Sequence, residues 1–441
     1  MLLIKAKALL ENADLEKVRL VYFYPVSMGG GDRSKLELAW QDLFNTYIGG
    51  DINNNLHVYP ESIAPAFFYK SADVAGSSYV SIDIGGGTSD TVIYQTSADQ
   101  QKTVPVAISS FRFAGNAIFG DAFSEHDAAN NPLLKHYTEY FRKLVERNPD
   151  VTYLNSIMQN IMASKRSEDI NAFLFSIENV EQLRNLPKMD LSLYSYNTLL
   201  RNDDQRKLIF MYFYAAMIYY IAASMKHRNY VKPKQIYFSG TGSKILNILG
   251  SKEQINEFTQ TILERVFEEK YDETFTIKIE SECPKQITCR GGVRLENQRL
   301  NSNSTPEMQS LIDMMRPRNV NAMKYCYSMI DEEQMTMAGV NNLDTRDKLI
   351  EKVKTFNQFF IDLCDAVTRD EFGIDNKVFS IFKNVLNENI PNYLIAGINS
   401  YLVGRYEEDA VIEDVPFFYP IIGIIRYNLL KNLCNEVISK V

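Results

Sequence analysis

The sequence predicts an α/β protein followed by a helical C-terminal region. Three observations carry this: short aliphatic and aromatic runs that stop at glycine-rich turns, helical patterns between those runs up to about residue 300, and amphipathic helical pattern alone from Pro306 onward. VRLVYFY, Val18 to Tyr24, is a strand that ends at Pro25, and the glycine-rich loop SMGGGDRSK and the helix LELAWQDLFNTYI follow it. LHVYPES, residues 56 to 62, closes a second strand, and IAPAFFYKSA makes a short helix with Pro65 in its first turn, where a missing N–H costs nothing. YVSIDI (Tyr79 to Ile84) and TVIYQ (Thr91 to Gln95) are β-rich runs on either side of GGGTSD and form one hairpin.

Residues 121 to 205 alternate charged and apolar positions in helical fashion and read as an inserted helical subdomain. Then Leu208 to Ala223 gives sixteen apolar or aromatic residues without interruption, four of them tyrosines. A membrane span needs roughly 20 apolar residues, so this run reads as a buried central helix. KQIYFSGTGSKILNIL gives strand, glycine turn and helix, and residues 272 to 280 supply a further strand before CPKQITCRGGVRL. The tail, with turn signals near Gly339, Gly373, Pro391 and Gly404, either finishes a core or docks a partner, and core is the preferred reading.

Composition narrows the function. With 441 residues, 45% hydrophobic and 23% charged, the chain is neither disordered nor fibrous. Lys plus Arg is 47 against 55 for Asp plus Glu, and the net charge of −8 argues against nucleic acid or anionic lipid as a partner. Five cysteines without a CxxC pair suit a reducing compartment, the cytoplasm, and the start MLLIKAKALLENADLEKV has no signal-peptide cleavage site. The four histidines show no metal-ligand spacing, Trp40 is assigned to the core, and Lys165 and Arg166 to a solvated helix face.

The strongest chemical signal is SIDIGGGTSDTVIY. A buried strand delivers Asp83 and then Gly85, Gly86 and Gly87, whose backbone amides can close around a phosphate because no side chain blocks the approach; the Thr88 hydroxyl adds a donor. Asp83 cannot touch phosphate without repulsion, so its task is to hold a Mg²⁺-bound water or to orient an attacking water, and Asp90 shares it. The competing reading is a flexible hairpin turn with Asp83 as a turn acid. A P-loop is excluded, because GxxxxGK[ST] occurs nowhere.

This segment resembles the second phosphate motif, Asp-x-Gly-Gly-Gly-Thr-x-Asp, of the actin, heat-shock chaperone and sugar kinase superfamily of ATPases, and Asp83, Gly85, Gly86, Gly87, Thr88 and Asp90 match it position by position. The resemblance implies a ribonuclease H-like, actin-type ATPase fold, ATP or ADP with Mg²⁺ as ligands, and an upstream acid facing the cleft. YPESIAPAFFY supplies that acid as Glu61, which with Asp83 would hold the metal through water. It also implies an adenosine turn, for which FSGTGSKIL offers Gly240, Thr241 and Gly242, with Ser243 and Lys244 on the following helix N-terminus. FAGNAIFG places Gly115 beside the phosphates, and Gly291 and Gly292 are expected to open the last helix of the domain.

The match runs over about residues 15 to 300 and lacks one of the two jaws of the family: no Asp-x-Gly-Thr hairpin occurs in the chain, nor the further strands that follow it before the strand at Val18 to Tyr24. The implied organisation is a partial first actin-like domain (1–78), a second (79–300) with a helical insertion at about 129–204, and the C-terminal helical region (301–441). Sequence missing upstream, or a protein partner, would complete the site and cover the apolar edge of the strand at Val18 to Tyr24. An interaction scaffold without turnover, and a kinase acting on a small metabolite, stay open as alternatives.

Overall fold

The chain folds as a mixed α/β structure in which two separate sheets hold the predicted strands. The computed structural model describes residues 18–24, 30–69, 76–96, 103–120, 131–164, 166–186, 190–272, 275–279, 286–300, 342–365, 369–402 and 415–434. Residues 25–29, 121–130, Lys165, 280–285 and 301–341, with the turn signals at Gly339 and Gly404, lie outside the described residues.

Strands β1 (Leu20–Tyr24) and β2 (Leu56–Pro60) pair in parallel from Leu20 opposite Leu56 to Tyr24 opposite Pro60. Parallel pairing requires a crossover, and α1 (Gly30–Tyr47) provides it. This helix starts inside the run read as a loop, with Gly30 and Gly31 in its first turn beside Asp32, whose charge suits the N-terminal dipole. Trp40 on α1 stacks on Tyr22 at 5.2 Å and is half-buried. Among the described residues β1 pairs with β2 alone.

The second sheet has five strands: β3 (Ser78–Ile84), β4 (Ser89–Thr96), β5 (Thr103–Phe111), β6 (Pro233–Ser239) and β7 (Thr276–Ile279). Their order is β5-β4-β3-β6-β7, with β3, β4 and β5 antiparallel in sequence and β6 and β7 parallel to β3. Side chains alternate across a strand, so the sheet presents two faces. One carries Val80, Ile82, Ile84, Ile93, Phe111, Ile236 and Phe238 into the larger core. The other carries Tyr79, Val92, Tyr94, Ile108 and Tyr237 against Tyr59, Ile63, Phe67 and Leu295.

Helix α2 (Ala64–Tyr69) precedes the hairpin; between β5 and β6 come α3 (Gly115–Phe119) and then α4 (Pro132–Glu146), α5 (Tyr153–Ala163), α6 (Ser167–Ser176) and α7 (Tyr196–Arg201), which form the inserted helical region. Helix α8 (Asp204–His227) is the apolar run, capped by the Asp203 side chain on the Arg206 amide. It is long and apolar enough to cross a membrane, yet 89% of its most apolar window is buried inside the fold. The reading as a central core helix agrees with this placement.

After α9 (Lys252–Phe267) and β7 comes α10 (Gln286–Leu300), and here one expectation is corrected. Gly291 and Gly292 do not open a helix; they lie inside α10. The reason is close packing: a Cβ on Gly291 would collide with the Ala64 carbonyl oxygen, and one on Gly292 with the Phe23 ring. Glycine in a helix interior costs up to about 1 kcal/mol against Ala, and here it lets α10 press on α2 and β1.

The tail contributes α11 (Leu343–Leu363), α12 (Asn376–Leu386), α13 (Ile390–Leu402) and α14 (Phe418–Gly423), which continues as a π-helical stretch, Ile424–Leu429. These helices share the larger core: Tyr212 of α8 packs among Phe356, Phe360 and Phe382, and Phe418 stacks on Phe111 and Phe113 at 4.8 and 4.4 Å.

Candidate functional site

Three carboxylates meet where the two sheets face each other. Asp83, next to last in β3, stands opposite Asp90 of β4 across the antiparallel pair, so both side chains leave the same face. Glu61 opens a 3₁₀ turn, Glu61–Ile63, directly after β2 and comes at them from the other side. Its turn is anchored through β2: Tyr59 donates to Glu296 Oε2 of α10 at 2.9 Å, and His57 Nε2 lies 3.5 Å from Glu296 Oε1, all three buried.

Burial raises the pKa of all three acids. For Glu61 the loss of water comes first and the Asp83 charge adds to it. For Asp83 burial also leads, opposed by the Ser239 hydroxyl, which donates to Asp83 Oδ2 at 2.8 Å. Asp90 is pushed from 3.8 up to about 7 by burial, with Glu61 and Asp83 adding and the Ser110 and Thr88 side chains opposing. Asp90 Oδ1 and the Ser62 hydroxyl are buried with no hydrogen-bond partner among the described residues. Like charges crowded into a dry space favour protonation or a cation. Among the described residues no three His, Cys, Asp or Glu side chains lie close enough to hold a metal ion directly. The orphaned oxygen and the raised acids nevertheless suit a hydrated divalent cation, whose charge would lower all three.

Beside the acids the hairpin turns through Gly85 to Thr88, closed by the Gly85 amide on the Thr88 carbonyl at 2.9 Å. The amides of Gly115 and Asn116, at the start of α3, take the carbonyls of Gly85 (3.2 Å) and Gly86 (2.7 Å). With its carbonyls engaged on that side, the turn keeps the amides of Gly86, Gly87 and Thr88 free of hydrogen bonds among the described residues, and Gly87 is exposed. Successive free amides in a turn suit an anion. Gly115 thus serves the turn by holding it.

The second turn packs on the first. Gly240 follows β6 at φ +82°, and a Cβ there would strike Asp83 Oδ1 and the Ile84 carbonyl. Gly242 comes equally close: its Cβ would lie 2.5 Å from the Gly85 carbonyl oxygen. The segment after it is a 3₁₀ turn, Thr241–Ile245, and only then one turn of α-helix, Leu246–Leu249, so Ser243 and Lys244 stand on the 3₁₀ turn. The Ser243 hydroxyl donates back to the Gly240 carbonyl at 2.7 Å. Thr241 and Lys244 are exposed.

Next to this turn lies a recess of about 210 Å³ lined by Ser243, Lys244, Asn247, Ile279, Phe175, Glu178, Asn179 and Asn197. The last four come from the inserted helices and were not signalled in the sequence. Glu178 Oε2 accepts from Ser195 Oγ at 2.9 Å and from Asn197 Nδ2 at 3.3 Å, which leaves the buried Asn197 Oδ1 as an acceptor with no partner among the described residues. A second link runs from α6 to α3, which holds the glycine turn: Ser167 Oγ donates to Asn116 Oδ1 at 3.2 Å. The structure therefore brings together Glu61, Asp83, Asp90, the glycine hairpin, Gly115 and the Gly240 to Lys244 turn. Gly291 and Gly292 stand apart from this set, in the packing of α10.

No family model matches the chain, and no curated protein does either. Among solved structures, MreB 5 of Spiroplasma citri bound to AMPPNP is 13% identical with a TM-score of 0.27, covering 68% of this chain and 76% of that one. The same protein bound to ADP is 15% identical with a TM-score of 0.28, covering 68% and 73%. At these scores the likeness adds nothing to what the geometry above shows.

Proposed function

We propose that this chain is an actin-like ATPase domain of ribonuclease H-like topology that binds ATP or ADP with Mg²⁺. The observation that carries the reading is the direct contact of the two glycine turns, Gly242 against Gly85, with free amides on the first turn and a polar recess beside the second. Phosphates would lie on the amides of Gly86, Gly87 and Thr88, and the ribose and base would follow Gly240 to Lys244 into the recess. There Asn197 Oδ1 offers an acceptor to an exocyclic amine, and Lys244 edges the opening. Mg²⁺ would be held through water by Glu61 and Asp83, with Asp90 behind them, and it would supply charge neutralisation to the phosphoryl oxygens. The residues do the rest: Asp83, fixed by Ser239, accepts a proton or orients a water, and the glycine turns exclude side chains from the phosphate path.

A scaffold that binds nucleotide without turnover is the second reading. The absence of an Asp-x-Gly-Thr hairpin favours it, since phosphoryl transfer is stabilised from both sides of the γ-phosphate. Calorimetric titration of the full chain with ATP, ADP and AMPPNP, with and without Mg²⁺, tests binding; phosphate release then separates the two readings. Saturable heat that needs Mg²⁺ supports the site. No heat with any of the three nucleotides overturns it. Turnover of roughly 1 to 100 per second would remove the scaffold reading.

A further inference from the structure

The C-terminal helical region reaches α3, the helix that holds the glycine turn, through Arg426. Arg426 lies in the π-helical stretch Ile424–Leu429 and is only 8% exposed. Its Nη2 donates to the Asn116 carbonyl at 2.6 Å and its Nε to the Ala117 carbonyl at 3.3 Å. Those carbonyls belong to α3, a helix of five residues too short to hold its own place. From the same first residues α3 gives the amides of Gly115 and Asn116 to the carbonyls of Gly85 and Gly86.

We propose that Arg426 is a positioning residue for the phosphate turn: it fixes α3 by its carbonyls, and α3 fixes Gly85 and Gly86 by its amides. The inference rests on the nucleotide reading above and extends it to a region outside the two turns. Several features support it. An arginine presents a planar fork that can bridge successive carbonyls, and it stays charged at any physiological pH. π-Helical turns inside α-helices are rare and gather at functional sites, because the wider turn re-aims a side chain. Here the wide turn aims Arg426 at α3, while Asn428 on the same stretch turns to the Val385 carbonyl at 2.6 Å, inside the tail. Coupling is reciprocal, so a ligand that orders the turn must also tighten the grip of Arg426. The tail would then report whether phosphate is present.

The test compares full-length wild type with Arg426→Met, Arg426→Lys and, as a control for tail packing, Asn428→Ala. ATP affinity is read with Mg²⁺ present, and amide exchange is followed over residues 113–120 and 424–429. The expected result is an affinity loss of about tenfold in Arg426→Met with faster exchange at Gly115 and Asn116, partial recovery in Arg426→Lys, and neither change in Asn428→Ala. Saturating ATP should slow exchange over 424–429 in wild type and in Asn428→Ala, and not in Arg426→Met. Unchanged affinity in Arg426→Met, or an equal loss in Asn428→Ala, overturns the proposal while wild-type binding keeps the nucleotide reading intact. A wild-type chain that binds no nucleotide would overturn both, and that outcome is told apart by the wild-type titration alone.

Discussion

Asp90 and two glycines show how much a single position decides. Asp90 holds its proton to about pH 7 in the folded chain against 3.8 ordinarily, so between those values the folded state binds more protons than the unfolded one. Stability must then fall as pH rises through that window. Asp90→Asn should flatten the fall, the variant gaining on wild type in melting temperature from pH 4 to pH 8 while losing Mg²⁺-dependent affinity; parallel melting curves would count against a buried, ionising Asp90. Gly240→Ala forces a side chain into the Asp83 carboxylate at positive φ and should cost about 3 kcal/mol in denaturant unfolding. Gly87→Ala meets nothing closer than Asn116 Nδ2 at 4.0 Å, so stability should stay within about 0.5 kcal/mol. Its ATP affinity should still drop about tenfold, or ~1.4 kcal/mol, if a phosphate approaches that backbone. An affinity equal to wild type would leave the turn as a hairpin and nothing more.

The hairpin was legible as an element because everything it needs is local: a strand, three glycines, flanking acids and a second strand within fourteen residues of sequence. The α10 glycines misled for the same reason. Two adjacent glycines look like a turn when read locally, and only the approach of Ala64 and Phe23 explains them inside a helix. That approach carries a prediction. Gly291→Ala overpacks α10 against α2, which begins right after the Glu61 turn, and should cost about 1–3 kcal/mol and weaken Mg²⁺-nucleotide binding together. Melting and titration of the same sample check it, and a loss of stability with affinity untouched would show that the Glu61 turn is held independently of α10.

Across the whole molecule, the parts that escaped sequence reading are those assembled from distant segments. Glu178 and Asn197 reach the recess only because the inserted helices fold back over the turn at Ser243, and Arg426 meets a carbonyl 310 positions away. No spacing rule joins such residues. The tail's place in the core was legible as amphipathic pattern, though its partners were not. Phe418 lies between the tail and the sheet, stacked on Phe111 and Phe113. Phe418→Ala should cost ~3–5 kcal/mol and, if tail and sheet form one cooperative unit, leave a single unfolding transition at lower denaturant. Two separated transitions would mean that the tail melts alone.

The two faces of the five-stranded sheet are unequally held. Among the described residues the face toward β2 and α10 shares a small cluster of nine buried apolar side chains from both layers, whereas the other joins the large core around α8. Local opening follows the weaker contact, so the layer carrying Glu61 should lift from the layer carrying Asp83 and Asp90 before the fold is lost, and hydrogen exchange over residues 56–69 against 78–96 checks it. A molecule held across that boundary leaves only when the layer lifts. Its residence time should then follow the frequency of that motion and lengthen with solvent viscosity, even where every contact to the molecule stays the same.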